Sequence, residues 1–457
     1  MFTRRQILQS ASAGFGYLAF AGISSVNAAK QSASKNPLEA KAPHFPARAK
    51  RVIFLCMQGG PSHVDTFDYK PQLDADHGKR GKYGGSLLKS RWKFQQRGQS
   101  GLWISDLFPN VADHADELTL IRSMHCDVPV HPGAMTQMHT GTAQFIRPSL
   151  GAWTLYGLGT ENESVPGFVS LNPPSGSSRN YGSSFLPSIY GGSKIGRGGR
   201  SSRFSRGSSG ESVPDIKNPT LSQKQQRTQL DLIQALNREK MRRDKFQPGV
   251  EGVIESYELA FRMQDAMPSL MDISRETDST LAMYGADGGA SEKFGKQCLL
   301  ARRFVEAGVR FVEVTHGNWD QHTNLSVDHL ARAEACDKPI AGLLQDLKQR
   351  DMLKDTLVIW AGEFGRTPAA QGGDGRNHNN KGYTTWMAGG GVKGGFSYGA
   401  TDEHGYESIE NKCHIHDWHA TILHLLGLDH KQLTYRYAGR DFRLTDVAGE
   451  VAKGIIA

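Results

Sequence analysis

Residues 309–322 read VRFVEVTHGNWDQH and join a short apolar run directly to histidine and aspartate side chains. The run 309–314 is typical of a buried strand, and the polar residues follow where that strand ends. A second run, TLVIWAG at 356–362, is followed by EFGRTP. In α/β proteins the carboxyl ends of parallel strands form one edge of the sheet, where ligands bind. The two runs therefore predict a polar site at such an edge.

Helical patterns separate these runs. Predicted helices at 291–307 and 326–350 alternate with predicted strands at 309–314 and 356–361, and this α-β-α-β succession predicts a parallel sheet with helices on both faces. Other segments of the chain repeat the two patterns. Further strands are predicted at 51–57, 118–121, 167–171 and 384–388, and further helices at 132–140, 223–246 and 418–426.

The N-terminus has the features of an export signal. Residues 1–29 contain the pair Arg4-Arg5, a weakly apolar run and small residues before a cleavage point, as in a twin-arginine signal peptide. We expect an exported protein, located in the periplasm, at the cell surface or outside the cell. Residues 30–50 form a polar leader, and 51–450 are expected to form one domain. No other segment has eighteen continuous apolar residues, so no membrane span is predicted in the mature chain.

The formal net charge is +8, and part of the excess lies in the Ser/Gly-rich segment 174–210, which we interpret as an insertion. This basic segment would attract a polyanion such as a sulfated glycan, or it is simply a solvated loop. It lacks interleaved aromatic residues, so no nucleic-acid partner is predicted. The five cysteines form no CxxC pair and no regular framework, and Cys56 is expected in the core.

Two candidate motifs lie in the N-terminal half. GGPSHVD at 59–65 follows the first predicted strand, and His63 and Asp65 are candidate metal ligands there, although the same residues would suit a simple turn. His131 begins a predicted helix, whose N-terminus favours phosphate, sulfate or carboxylate. The alternative is a helix that is packed by its methionines and carries incidental histidines.

The C-terminal half contains a denser set of ligand types. His316, Asp320 and His322 follow the strand 309–314, and the last two alternate, so they point the same way from an extended loop. A site of imidazole and carboxylate groups suits zinc, manganese or iron, and calcium is the oxygen-binding alternative. These residues predict a bound divalent metal ion.

Glu363, Arg366 and His378 complete the candidate set. Glu363 emerges at the end of strand 356–361 and is a candidate metal ligand. Arg366 would bind an anionic substrate through two nitrogens, or would pair with Glu363. His378 lies in the polar sequence GRNHNN and is the best single candidate ligand, against the alternative of a solvated loop.

Several motifs resemble one known family. The chain contains FLCMQGGPSHVDTFDYKP, HGNWDQHTN, VIWAGEFGRTP and DWHATILHLLGLDH. With the twin-arginine leader, they resemble the secreted family called domain of unknown function 1501, which is similar to the sulfatase and alkaline phosphatase superfamily. The resemblance implies a three-layer α/β/α sandwich with a mostly parallel, alkaline-phosphatase-like sheet. It also implies one or two metal ions at the carboxyl edge of the sheet.

The likeness to sulfatases is partial. Asp320 and His322 resemble the Asp-and-His pair of one metal position, and His378 resembles the distal metal histidine. Gln58 stands where sulfatases carry metal-binding aspartates, and His131 stands where a Cys, Ser or Thr nucleophile is usual. The resemblance thus implies a partial metal site without the usual nucleophile.

These observations lead to two hypotheses. The first is a secreted metal-dependent hydrolase of anionic esters, sulfate or phosphate, carried by a small molecule or a polysaccharide. Asp320, His322, His378 and Glu363 would hold the ion, while Arg366 and His131 would bind the anion. The alternative is a non-catalytic exported binding or cell-surface protein that retains the alkaline-phosphatase-like fold.

Overall fold

A mixed β-sheet forms the centre of the protein in a computed structural model, which describes residues 37–173, 179–196, 220–244 and 248–457. The predicted signal peptide lies outside the described residues, as does part of the basic segment 174–210. No helix in the described ranges is long and apolar enough to cross a membrane.

The strands of the described residues belong to one large sheet and four two-stranded ribbons. In chain order they are β1 (Arg51–Met57), β2 (Phe94–Arg97), β3 (Leu102–Ser105), β4 (Leu118–His125), β5 (Phe168–Leu171), β6 (Ser193–Ile195), β7 (Phe311–His316), β8 (Thr356–Ala361), β9 (Gly365–Ala370), β10 (Arg376–Asn379), β11 (Tyr383–Ala388), β12 (Phe396–Tyr398), β13 (Ala400–Thr401), β14 (Ser408–Glu410), β15 (Cys413–His414), β16 (Tyr435–Tyr437) and β17 (Arg440–Phe442).

Helices fill most of the longer connections. The α-helices described are His63–Thr66, Pro71–Ala75, Pro109–Ala112, His131–Thr140, Leu150–Leu158, Gln223–Asp244, Pro248–Met271, Asp278–Met283, Glu292–Glu306, Leu325–Gln349 and Ile415–Leu425. Short 3-10 turns lie at Ala115–Glu117, Ser188–Tyr190, Leu353–Asp355 and Lys453–Ile455. The helix His131–Thr140 is called the His131 helix below.

The large sheet has the order β12-β4-β11-β8-β1-β7-β5-β6, with β15 beside β4. Strands β8, β1, β7, β5 and β6 are parallel, whereas β11 runs antiparallel to both of its neighbours. The predicted, mostly parallel sheet is therefore confirmed. The predicted strands 51–57 and 356–361 have the same bounds in the structure. The other four predicted strands are present with shifted ends.

Helices cover both faces of the sheet. On one face, the ring of Phe54 lies 5.8 Å from that of Trp418 and 5.6 Å from that of His139, and these rings belong to two different helices. On the other face, the ring of His316 lies 4.9 Å from that of Phe294 in a third helix. Because successive side chains of a strand point to opposite faces, these contacts define two helical layers around one sheet. The predicted three-layer α/β/α sandwich is confirmed.

The five cysteines are all buried and free, and Cys56 lies in the core of β1 as predicted. The parallel register aligns the ends of the central strands, with Met57 opposite His316 and Cys56 opposite Ala361. The loops that follow β1, β7 and β8 therefore leave the sheet side by side. This arrangement positions the candidate site.

Candidate metal centre

Four side chains meet at the carboxyl edge of the sheet: His131, Asp320, His322 and His378. We call them the surface cluster. One ligand atom from each lies within 4.8 Å of all the others. Asp320 and His322 come from the loop after β7, and His131 begins the His131 helix. His378 lies on β10, where the antiparallel pairing with β9 sets it opposite Arg366.

The three imidazoles converge on one carboxylate oxygen. Oδ1 of Asp320 lies 3.1 Å from Nε2 of His131, 3.0 Å from Nε2 of His322 and 3.3 Å from Nε2 of His378. The Nε2 atoms of His322 and His378 are 3.0 Å apart. Ligand atoms around a tetrahedral zinc ion, each about 2.0–2.1 Å from the metal, are about 3.3 Å from one another. The spacing of the cluster thus fits a single ion.

The opposite nitrogen of each ring is held by an acceptor. Nδ1 of His131 lies 2.6 Å from Oε1 of Glu363, and Nδ1 of His322 lies 2.7 Å from Oε1 of Gln371. Nδ1 of His378 lies 2.7 Å from the carbonyl oxygen of Pro129. Because these oxygens accept, Nδ1 carries the proton, and in a neutral ring the lone pair on Nε2 faces Asp320. This is how metal-binding histidines are usually oriented.

The pKa shifts of Asp320 and His378 favour metal binding. Burial raises the pKa of Asp320, but Arg366 and His131 lower it by more, so that this pKa lies well below its usual value. Burial lowers the pKa of His378. A metal ion requires an ionised carboxylate and a neutral imidazole, and the two shifts favour those states. The side chain of Asp320 is 43% exposed, so the cluster is open to solvent.

Glu363 lies behind the cluster and not in it. Its buried carboxylate accepts from the backbone N–H of Gly59, at 3.0 and 3.1 Å, as well as from His131. Burial lowers the pKa of His131, but the hydrogen bond and charge of Glu363, with the charge of Asp320, outweigh it and raise that pKa. Gly59 has φ +115°, and a Cβ there would lie 2.6 Å from the backbone nitrogen of Trp319. Only glycine fits this close approach.

Arg366 is buried against the same loop. Its guanidinium donates to Oδ1 of Asp320 at 2.6 Å, to the carbonyl of Gly60 at 2.9 Å and to the carbonyl of Gly59. The structure thus pairs Arg366 with Asp320. The partner predicted from the sequence was Glu363 or a bound anion. In this arrangement Arg366 fixes the orientation of Asp320.

Three further candidate ligands lie outside the surface cluster. Nε2 of buried His63 lies 2.8 Å from the carbonyl oxygen of Gly405. Asp65 forms a buried ion pair with Arg376, 2.6 Å long. His316 turns onto the opposite face of the sheet, where burial lowers its pKa to about 3. The structure gives these residues local partners and does not bring them to the cluster.

Two partners of the cluster have no sequence signal. Gln371 lies in a Gly-rich turn between β9 and β10, and Pro129 contributes only its backbone carbonyl. Both hold an imidazole Nδ1, so they act through the orientation of His322 and His378. Their role can be recognised only in the folded structure, where the β9–β10 ribbon packs beside the His131 helix.

The fold and the cluster define an α/β protein with a candidate metal centre at the carboxyl edge of its sheet. The chain belongs to the family described as protein of unknown function (DUF1501), whose model matches residues 49–456. The resemblance inferred from the motifs is thereby confirmed. A search of curated proteins found no match.

Solved structures show distant similarity. PsFucS1 sulfatase from Pseudoalteromonas sp. is 14% identical, with 83% of this chain and 68% of that chain covered and a TM-score of 0.35. The lipoteichoic acid synthase LtaP from Listeria monocytogenes is 9% identical, with 89% and 78% covered and a TM-score of 0.39. Alkaline phosphatase from the Antarctic bacterium TAB5 is 11% identical, with 84% and 99% covered and a TM-score of 0.33. These similarities are too distant to indicate an activity.

Proposed function

We propose that this protein is an exported, metal-dependent hydrolase of anionic esters, sulfate or phosphate, on a polysaccharide or a small molecule. The observation that supports it is the convergence of three imidazole Nε2 atoms on Oδ1 of Asp320, with every Nδ1 held by an acceptor. If all three rings are neutral, they direct three lone pairs at one carboxylate oxygen, which is a repulsive arrangement without a cation. A divalent cation relieves that repulsion.

Asp320, His322 and His378 would hold the ion, and His131 would face it as a fourth side chain. Catalytic zinc sites commonly use three protein ligands and keep one position open. Imidazole donors favour zinc, manganese or iron over calcium, which prefers oxygen ligands. A bound divalent ion supplies Lewis acidity toward an ester oxygen and a more acidic water.

By the resemblance of its motif, His131 would occupy the place where a nucleophile is usual in sulfatases, and its chemistry differs. An imidazole held at Nδ1 by Glu363 directs Nε2 toward Oδ1 of Asp320, at 3.1 Å. We assign Nε2 the task of contacting the anionic ester and exchanging a proton with it. Arg366, buried against Asp320, adds a fixed positive charge behind the ester.

Metal analysis and turnover of an aryl sulfate and an aryl phosphate test the proposal. Wild-type protein should contain a transition ion at the surface cluster, and His378→Ala should lose both that ion and turnover. The matched control is His77→Ala, an exposed histidine outside the cluster. Full activity in His378→Ala would refute the site. An ion bound without any turnover would favour the exported binding protein instead.

His131→Ala separates the two roles open to this residue. If His131 acts on the ester, the variant should keep the ion and lose turnover. Loss of the ion together with turnover would make His131 a fourth ligand. Metal content and turnover measured on the same preparation decide between the two.

A further inference from the structure

A second group of metal-ligating side chains lies in the core beneath the surface cluster. It consists of Cys56, His139 and Glu313, which we call the buried trio. All three are buried, and one ligand atom from each lies within 4.8 Å of the others. Cys56 is on β1, Glu313 is on the adjacent β7, and the His131 helix brings His139 over them. The register pairs Phe54 with Glu313, so Cys56 and Glu313 share one face of the sheet.

The trio and the adjacent Ser170 contain buried polar atoms that have no hydrogen-bond partner in the described part of the chain. Nδ1 of His139 donates to the carbonyl of Met135 at 2.8 Å, so in a neutral ring Nε2 carries the lone pair. That Nε2 lies 3.3 Å from Oε1 of Glu313. Among the described residues, none is a hydrogen-bond partner for Nε2 of His139, Oε2 of Glu313 or Oγ of Ser170. Ser170 lies opposite Glu313 in the β5–β7 register. Buried unsatisfied atoms are rare and often mark an ion or ordered water.

Charge and the separation of Nε2 and Oε1 both suit a transition-metal ion. A thiolate, a carboxylate and a neutral imidazole around a divalent cation have no net charge, which suits a site without solvent. Around tetrahedral zinc, nitrogen and oxygen ligands are about 3.3 Å apart, and nitrogen and sulfur ligands about 3.5 Å apart. The observed separation of Nε2 and Oε1 equals the first value. A sulfur ligand selects zinc, iron or copper over magnesium and calcium.

The competing arrangement is a protonated His139 paired with Glu313. Burial lowers the pKa of His139, but the charge of Glu313 outweighs burial and raises it. A proton on Nε2 would leave Oε2 of Glu313 and Oγ of Ser170 unsatisfied. The thiol of Cys56 would take no part in such an ion pair. A buried ion pair also gains little net stability, because desolvation offsets its attraction. An ion coordinates all three members at once.

We propose that Cys56, His139 and Glu313 form a second, buried metal site for zinc or a similar transition ion. Binding would release the thiol proton of Cys56 to solvent. The ion would link β1 and β7 to the His131 helix, whose first residue belongs to the surface cluster. Its role is therefore to position that helix, and the inference does not depend on the hydrolase proposal.

Cobalt substitution of the full-length protein tests the site. A Co²⁺ ion bound by a thiolate gives an intense near-ultraviolet charge-transfer band, whereas a site of imidazole and carboxylate alone does not. We expect this band in wild-type protein and in His322→Ala/His378→Ala, which removes the surface cluster. The double variant should retain one Co²⁺ ion per chain.

Cys56→Ser should abolish the band and release that ion, and Cys336→Ser, at another buried free cysteine, should change neither. Saturated wild-type protein without the band would overturn the proposal, and so would a band that persists in Cys56→Ser. If circular dichroism shows that Cys56→Ser is unfolded, the spectrum of wild-type protein and the ion content of the double variant still test the buried site. If the surface cluster binds no metal, wild-type protein should bind a single Co²⁺ ion and still show the band, so the two proposals can fail separately.

Discussion

The surface cluster and the buried trio share one helix but differ in solvent access and in their ligand sets. His131, at the start of this helix, is part-exposed and lies beside His322, His378 and Asp320, whose side chain is 43% exposed. His139, two turns later, is enclosed with a thiol and a carboxylate in the core. Three imidazoles and an open face suit a site where an ion meets a substrate. A closed site of sulfur, nitrogen and oxygen suits an ion that stays.

The difference shows how a site that meets substrate and a site that stabilises the fold can lie on the same face of one sheet. At the surface cluster the orienting groups are a carboxylate, an amide and a carbonyl, each on the far side of a ring. In the buried trio a carbonyl, that of Met135, holds the far side of the one imidazole, and apolar rings such as Phe54 enclose the group. Solvent access therefore distinguishes the sites more sharply than ligand type does.

Chelation should give the largest contrast between the sites. An ion at the surface cluster can leave without unfolding, whereas an ion in the buried trio leaves only when the core opens. Opening a core commonly costs several kcal/mol, so we expect release rates that differ on the order of 1,000-fold or more. Timed incubation of the metal-loaded protein with a chelator, followed by metal analysis, measures both rates. Equal rates would show that the trio is not a closed metal site.

Stability measurements should sharpen the same contrast. In the metal-free protein, Glu313→Ala leaves His139 buried without its charged partner, and breaking a buried pair costs about 3–5 kcal/mol. His322→Ala, at a part-exposed side chain, should change the free energy of unfolding by about 0.5 kcal/mol or less in chelator. Denaturant unfolding of both variants in the same buffer checks this. Similar losses would contradict the assignment of one site to the core and one to the surface.

The fold was largely predictable because its central strands are continuous apolar runs between polar segments. VIFLCM and TLVIWA leave no helical periodicity to compete, and β1 and β8 have their predicted bounds. The β9–β10 ribbon was not predicted. Its sequence, GRTPAAQGGDGRNHNN, has no apolar alternation, and its pairing depends on Arg376, whose guanidinium bonds to Asp65 and to the carbonyls of Leu88 and Pro368.

The site was predictable only in part, because proximity in space depends on that ribbon. Asp320, His322 and His378 were predicted as ligands and lie together. Asp65 was named for the same purpose, yet its partner Arg376 is 311 residues away, where no local pattern indicates it. For the buried trio the sequence did hold a signal, since Glu313 is a charged residue inside an apolar strand. Its meaning required the neighbouring strand and helix.

Glu363→Gln tests whether support behind the surface cluster matters. The amide can still accept from Gly59 but loses the negative charge that holds the proton on Nδ1 of His131. Loss of such an outer partner typically costs about 10–100-fold in metal affinity or activity. Metal titration and aryl ester turnover should both be measured, with Glu450→Gln, at an exposed site, as the control. An unchanged variant would mean that His131 is oriented by packing alone.

Acid should separate buried from exposed histidines through the slope of stability against pH. Burial lowers the pKa of His329 to about 4, against about 6.5 in an unfolded chain. Between these values the unfolded state binds more protons than the folded state, so the free energy of unfolding falls as pH falls from about 6.5 to 4. Above about 6.5 the ring is neutral in both states and contributes no slope. His329→Gln should reduce this slope by up to about 1.4 kcal/mol per pH unit.

His77→Gln, at an exposed ring, supplies the matched comparison for that slope. Denaturant unfolding at several pH values gives the slope directly, and it does so independently of any overall loss of stability in the variant. Because His329 bonds to Gln321 in the loop that carries Asp320 and His322, its charging in acid would place a buried positive charge behind the surface cluster. A slope that is identical in wild type and His329→Gln would show that His329 becomes charged in the folded state without cost. In that case, burial of the His329 ring would not explain any loss of stability in acid at this edge of the sheet.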